Sequence, residues 1–524
     1  VSAPIPASEA VTRADRKALR ELERAGQPKA REARGLPRWG RWGGTLFAGQ
    51  PGKYPGRVPW EIRIPRQIES TAATRGLYPW LAGRPLPARG PIFGREILSG
   101  GLWHIDPWEH RKLQRVGDCG IFISGVIGSG KSAAAKSLVL RHGGFGRPFV
   151  VPADLRGEWV PVAEAVGGKV MRLGPGMPER LNALAMPALP PGQDPRIWWL
   201  TVRTHWQELL ENLGRTILED ERALTPEEKT GIEVALTEAT GYDEASGQLD
   251  RLRPITLHSV VDMLRNPTQR MADVVGMPVD ELRHTLRPLG LSLRQLTEGA
   301  LQGLVDGEGQ GDLIDPSRPA TVVDISRVQT SDAAIALVMA CTQSVIELAF
   351  VHQVQQWWIV YDELWRLMRF AALLRRLDGG QRRSRGSGAG TILLSHRVTD
   401  AQLGGEEARR AAADLIADCA TKIIYRQRAD TIAGTLEMVT LTDMIAAQLP
   451  TLPRGRAVHV VDGEPFLVDH LLPPKLPGEP ATDPVTGRTL YRDEWDVIET
   501  DQVLSDSYRT LAGVEDDVLF DGVR

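Results

Sequence analysis

One octapeptide limits this 524-residue chain more than any other feature. Gly125-Val126-Ile127-Gly128-Ser129-Gly130-Lys131-Ser132 matches the spacing G-x-x-x-x-G-K-[ST]. The apolar run GIFISG (120–125) precedes it, and an Ala-rich segment from Ser132 to Arg141 follows. That order predicts a buried strand, a tight loop and a helix. In such a loop successive backbone N–H groups converge on phosphate oxygens, and glycines let the backbone come close. The helix adds the positive end of its dipole. Residues Gly125 through Ala133 are therefore the expected nucleotide-binding stretch. Lys131 is placed to reach the β- and γ-phosphates of ATP, and the Ser132 hydroxyl to ligate Mg²⁺. The bland alternative is a Gly-rich turn without nucleotide, but the strand before it and the helix after it are the context that the motif demands.

A nucleotide site of this kind needs an acidic residue at the end of a neighbouring strand for Mg²⁺, and hydrolysis needs a group that activates water. Trp357-Trp358-Ile359-Val360-Tyr361-Asp362-Glu363 supplies both. Asp362 is assigned to the metal and Glu363 to the base. Thr321–Ser326 contains Asp324 but no adjacent glutamate, so it reads as another strand of the same sheet. Both acids could instead cap the next helix, which accounts for one more easily than for two in tandem. Downstream, an arginine-dense loop leads into a strand that ends Ser395-His396-Arg397. His396 is the candidate γ-phosphate sensor, with a structural hydrogen bond as the alternative. Arg382, Arg383 and Arg385 are candidates to stabilise the transition state in a neighbouring subunit, or equally to face solvent or DNA.

Around these motifs strands and helices alternate. Further strand signals lie at 147–154, 320–326, 390–396, 421–427 and 456–463, while 197–305 is long, polar and helically periodic. This predicts an α/β fold with a mostly parallel sheet covered on both faces, interrupted by an all-α insertion. The boundaries expected are a basic arm rich in Pro, Gly and Arg (1–95), a first core part (96–195), the insertion (196–312), a second core part (313–472), and a Pro-rich linker with an acidic tail (473–524). Both ends are expected to be partly disordered. Charge follows that division: residues 1–100 hold 18 basic and 8 acidic side chains, and 481–524 hold 4 and 11. The arm could attract nucleic acid or an anionic surface, or simply be solvated. Trp39 and Trp42, set between arginines, could stack on bases or dock the arm onto its own domain. Three scattered cysteines exclude a disulfide scaffold, argue against a zinc site, and fit a reducing cytosol. No apolar run reaches the length of a membrane span.

The ordered series GLWHIDPWE, GVIGSGKSAAAKSLVLR, VVPADLRGEW, RLNAL, IVYDELWRLM, RRSRGSGAGTILLSHRVTD, DLIADCATKIIYRQ and PRGRAVHVV resembles a known family over about residues 100–465. It is similar to the VirB-type conjugative-transfer ATPases of type IV secretion systems, within the HerA–FtsK superfamily of ring-forming motors. The family's Asp-x-Lys-Gly-Glu stands here as Asp154-Leu155-Arg156-Gly157-Glu158, its Leu-Asn-Pro-Leu as Leu181-Asn182-Ala183-Leu184, and its Thr-Gln as Ser395-His396. The resemblance implies a RecA-like P-loop NTPase core, a homohexameric ring, hydrolysis of ATP with Mg²⁺, and partners among the membrane components of a secretion system, with DNA as a further one. It places the chain in the cytoplasm at the inner face of the membrane. The competing expectations are a soluble double-stranded DNA translocase and a nucleotide-binding scaffold with little turnover.

Overall fold

The computed structural model describes residues 89–498 apart from short internal stretches, the longest being 380–387 and 397–404. The chain divides into two compact units, 1–80 and 81–524, and every described residue belongs to the second. Residues 1–88 of the expected basic arm, including Trp39 and Trp42, and the end of the acidic tail thus lie outside the described residues.

Eleven strands form one sheet: β1 (Ile92–Glu96), β2 (Leu102–His104), β3 (Gly120–Ser124), β4 (Phe149–Asp154), β5 (Lys169–Arg172), β6 (Ala320–Asp324), β7 (Trp357–Tyr361), β8 (Ala389–Ser395), β9 (Thr421–Ile424), β10 (Arg456–Val461) and β11 (Glu464–His470). Their order is β2-β1-β11-β10-β9-β3-β8-β7-β4-β6-β5. From β9 to β5 all neighbours are parallel. From β9 outward to β2 all are antiparallel. Every strand expected from the sequence is present. The sheet also takes in β1, which falls in the stretch 1–95 read as an arm. Its phenylalanine, Phe93, is buried in the core.

The helices that frame the sheet and the insertion include α1 (Pro107–Lys112), α2 (Lys131–Gly143), α3 (Val160–Ala165), α4 (Pro195–Ile217), α5 (Pro226–Thr240), α6 (Leu257–Arg265), α7 (Gln269–Val275), α8 (Val279–Thr297), α9 (Asp332–Phe350) and α10 (Glu406–Ala417). Strand alternation sends successive residues to opposite faces of the sheet. Ile121, Ile123, Trp358, Val360, Ile392 and Leu394 pack with Ala134, Ala135, Leu138 and Val139 of α2 on one face. Phe122, Ile359, Tyr361 and Leu393 pack on the other, in a core continuous with α9 and the helical insertion. Both faces are apolar and covered, as a parallel sheet requires.

The insertion α4–α8 leaves the sheet after β5 and returns at β6, and these two strands are neighbours. Its helices carry their own start signals. Asp194 caps α4 by accepting the N–H groups of Arg196 and Ile197, and Thr225 and Glu228 form a reciprocal capping box on α5. On α4, Trp198, Val202, Trp206, Leu209 and Leu213 recur at helical spacing and are buried.

At the amino ends of the parallel strands a buried ion pair fastens three segments. Asp106 caps α1 and receives Arg147 Nη1 at 2.7 Å. Arg147 also donates to Gln356 Oε1 at 2.7 Å and lies over the Trp108 ring at 4.6 Å. Both charges are nearly inaccessible, so removing one strands the other in the interior. Asp106→Ala is expected to cost about 3 to 5 kcal/mol of folding stability, read as a lower midpoint in urea denaturation.

Candidate active site

The carboxyl ends of the parallel strands lie on one edge of the sheet, where ligands of open α/β folds bind. Ser124 of β3 is level with Ser395 of β8. Tyr361 of β7 pairs with Leu393 of β8, so the chain leaves β7 into Asp362 and Glu363 beside the end of β8. The phosphate loop and the two acids are therefore separated by a single strand.

The loop is a tight turn held by its own groups. Gly128 and Gly130 have φ of 77° and 105°, a backbone region that side chains disfavour. Ser129 Oγ donates to the Val126 carbonyl at 2.7 Å, and Lys131 Nζ donates to the same oxygen at 3.1 Å. Flanking backbone supports both sides: Val126 N–H donates to the Arg426 carbonyl at 2.9 Å, and Gly455 N–H to the Ser129 carbonyl at 3.0 Å. Gly125 sits so close to β9's end that a Cβ there would lie 2.5 Å from Tyr425 Cβ. The first N–H groups of α2, which begins at Lys131, have no acceptor within the helix. Closely approaching glycines, the N-terminal N–H groups of α2, Lys131 and Ser132 form a donor set that suits a polyphosphate with its metal. Among the described residues no group of three His, Cys, Asp or Glu side chains could hold a metal alone. Ser132 and Asp362 would hold Mg²⁺ together with the phosphates.

Glu363 is buried and has φ of 56°, an uncommon conformation for a residue with a side chain. Its Oε2 lies 3.0 Å from His396 Nε2, and its Oε1 lies 3.3 Å from Arg156 Nη2. The expected base and the expected sensor thus meet directly. Asp362 accepts the Trp159 indole N–H at 3.0 Å, which orients the carboxylate assigned to the metal. Arg382, Arg383 and Arg385 lie outside the described residues. Sequence reasoning missed the contacts of Arg156 and Trp159, although both lie in the tract Asp154–Trp159 that carried the family resemblance. The available signal was an Arg and a Trp directly behind a strand-ending aspartate.

Asp154 organises that tract. Its Oδ1 accepts the N–H groups of Arg156 at 3.2 Å and Glu158 at 3.1 Å, and its Oδ2 accepts that of Trp159 at 2.7 Å. Burial pushes its carboxyl from 3.8 up to about 6; the N–H groups of Trp159 and Arg156 oppose this, and the negative Asp362 and Asp324 add to it.

No family model and no curated protein matches the chain. Among solved structures it is similar to VirB4 of Thermoanaerobacter pseudethanolicus, with a TM-score of 0.58 and 20% identity over 75% of this chain and 99% of that one. The fold is that of a RecA-like P-loop NTPase. A bacterial conjugative coupling protein, TrwBdeltaN70, is also similar, with a TM-score of 0.46 and 13% identity over 75% of this chain and 95% of that one.

Two predictions follow from this geometry. Gly125→Ala should drive a methyl group into Tyr425 and weaken nucleotide binding by roughly tenfold or more, about 1.4 kcal/mol, measured by fluorescent-nucleotide titration. For Asp154, the folded chain binds the proton near pH 6 and the unfolded chain near 3.8, so this group's contribution to stability declines as pH rises through that window. The stability of wild type relative to Asp154→Asn should fall by about 3 kcal/mol between pH 4 and pH 7 in urea melts.

Proposed function

We propose that this chain is an ATP-hydrolysing motor that energises conjugative DNA transfer or protein export through a type IV secretion system. The observation that carries the reading is the convergence of the Lys131 loop and Glu363 on one edge of a RecA-like sheet, in a fold shared with VirB4. A module that only bound nucleotide would have no use for a buried carboxylate placed behind the metal ligand.

In this mechanism the loop from Gly125 to Ala133 wraps the phosphates with its N–H groups, and Lys131 draws in the γ-phosphate. Mg²⁺ held by the Ser132 hydroxyl and the Asp362 carboxylate would supply positive charge against the phosphates. Glu363 orients the attacking water and accepts its proton. His396, 3.0 Å from Glu363, ties the state of the phosphate to that of the base. An arginine among Arg382, Arg383 and Arg385, supplied by the neighbouring subunit of a hexameric ring, stabilises the transition state. We assign 96–195 and 313–472 to the motor and 196–312 to the insertion within it. Among the described residues no helix is long and apolar enough to cross a membrane. The secretion reading itself places this chain at the inner face of the cell membrane, held by membrane components of the secretion system.

The excess of basic residues in 1–100 favours a second reading, a double-stranded DNA translocase whose arm contacts phosphates. Steady-state ATP hydrolysis with and without double-stranded DNA at two salt concentrations separates the two. Lys131→Ala and Glu363→Gln should each lower turnover by roughly 100-fold or more. Indifference to DNA would support the secretion motor; stimulation that fades with salt would support the translocase. Unchanged turnover in Glu363→Gln would leave a nucleotide-binding scaffold.

A further inference from the structure

Glu363 has both carboxylate oxygens engaged, Oε2 by His396 at 3.0 Å and Oε1 by Arg156 at 3.3 Å. A guanidinium seated on a carboxylate oxygen occupies the lone pair that would otherwise take a proton from water. The other arm of the same guanidinium, Nη1, lies 3.7 Å from Glu158 Oε1, and Glu158 Oε2 lies 3.8 Å from Lys136 Nζ. Arg156 therefore stands between two carboxylates. Its side chain is 47% exposed, against 9% for Glu363, 11% for Glu158 and 1% for Lys136. The acids and the lysine are fixed in place, and the arginine is the member that can move. Its backbone is pinned, because Asp154 holds the N–H groups of Arg156 and Glu158 and Gly157 makes the turn at φ 73°. Movement is thus confined to the side chain.

We infer that Arg156 is a positioning residue that restrains the base: it clamps Glu363 until it transfers to Glu158, and hydrolysis proceeds once the clamp is off. The inference rests on the reading of Glu363 as the base. The link to nucleotide runs through α2, which carries Lys131 in the phosphate loop and, five residues on, the Lys136 that anchors Glu158. Occupation of the loop bears on the same helix that holds the second acceptor. No proton or group transfer takes place on Arg156; it changes ion-pair partner only. Asp362, joined to Glu363 through the Glu363 N–H, adds a negative neighbour whichever partner Arg156 takes.

The test uses the full chain as wild type, Lys131→Ala, Arg156→Ala, Arg156→Lys and Glu158→Gln, with kcat and KM for ATP measured for each. Without the clamp, Arg156→Ala should turn over about threefold faster or more. Its KM should stay within about twofold, so the effect falls on kcat alone. Arg156→Lys keeps the cation and should restore slow turnover. Glu158→Gln removes the second acceptor and should fall below wild type. Arg156→Ala that is slower than or equal to wild type, while hydrolysis still depends on Lys131, overturns this inference alone. Hydrolysis independent of Lys131, or none in any protein, overturns the ATPase reading and this inference with it. If thermal melts show that Arg156→Ala does not fold, Glu158→Gln decides: turnover below wild type supports the clamp, and equal or faster turnover overturns it.

Discussion

Two neighbouring parallel strands cannot be joined by a tight turn; each connection must cross a face of the sheet over a dozen or more residues. Six such ladders run through the centre of this molecule. The consequence is that helices cover both faces and all the strand-to-helix turns collect on one edge. The phosphate loop, the tract after Asp154 and the Asp362–Glu363 pair are three of those turns. Their proximity comes from the backbone ladders, and the side chains need only be of the right kind. At the opposite edge the Asp106–Arg147 pair and the Trp108 indole, which donates to the Gly388 carbonyl at 2.9 Å, fasten the strand entrances.

Within the site, backbone N–H groups do much of the positioning. A single buried carboxylate, Asp154, collects three of them and so sets the conformation from which Arg156, Glu158 and Trp159 project. Each of those residues reaches a different charge: Glu363, Lys136 and Asp362. The phosphate loop is supported by the same means, with the Arg426 carbonyl accepting from one side and the Gly455 N–H donating from the other. Substitutions behind the site, such as at Gly125, should therefore act on phosphates that they never touch.

Much of this was legible in the sequence. Apolar runs such as Gly120–Ser124 and Trp357–Tyr361 are buried on both faces, and their β-branched and aromatic content separates them from the helical insertion. The loop and the tandem acids were legible because each is a contiguous motif. The Arg156–Glu363 contact was not, since it joins residues more than 200 positions apart and depends on the strand order β7-β4. The antiparallel strands β1 and β2 were hidden for a different reason. Their exposed and buried residues are mixed with Gly and Ser at 94, 99, 100 and 101, which reads as loop. The chain's return near its end was equally obscure. The short helix Glu494–Ile498, in the stretch read as linker and acidic tail, meets Arg141 of α2 through Glu494 at 2.9 Å. The same guanidinium donates to carbonyls of Ile92, Phe93 and Leu471.

The insertion's core has no boundary with that of the sheet. Trp198, Trp206 and Leu213 of α4 belong to the same apolar body as Ile346 of α9 and Tyr361 of β7. His205 of α4 meets the Ser344 carbonyl of α9 at 3.1 Å. A segment that entered and left the sheet through neighbouring strands might have been an appendage with its own melting behaviour; here it is the lid over one face. Calorimetry on the second unit should accordingly trace one endotherm in which insertion and sheet lose their structure together. Excising the five helices would uncover the sheet and leave no smaller stable domain behind.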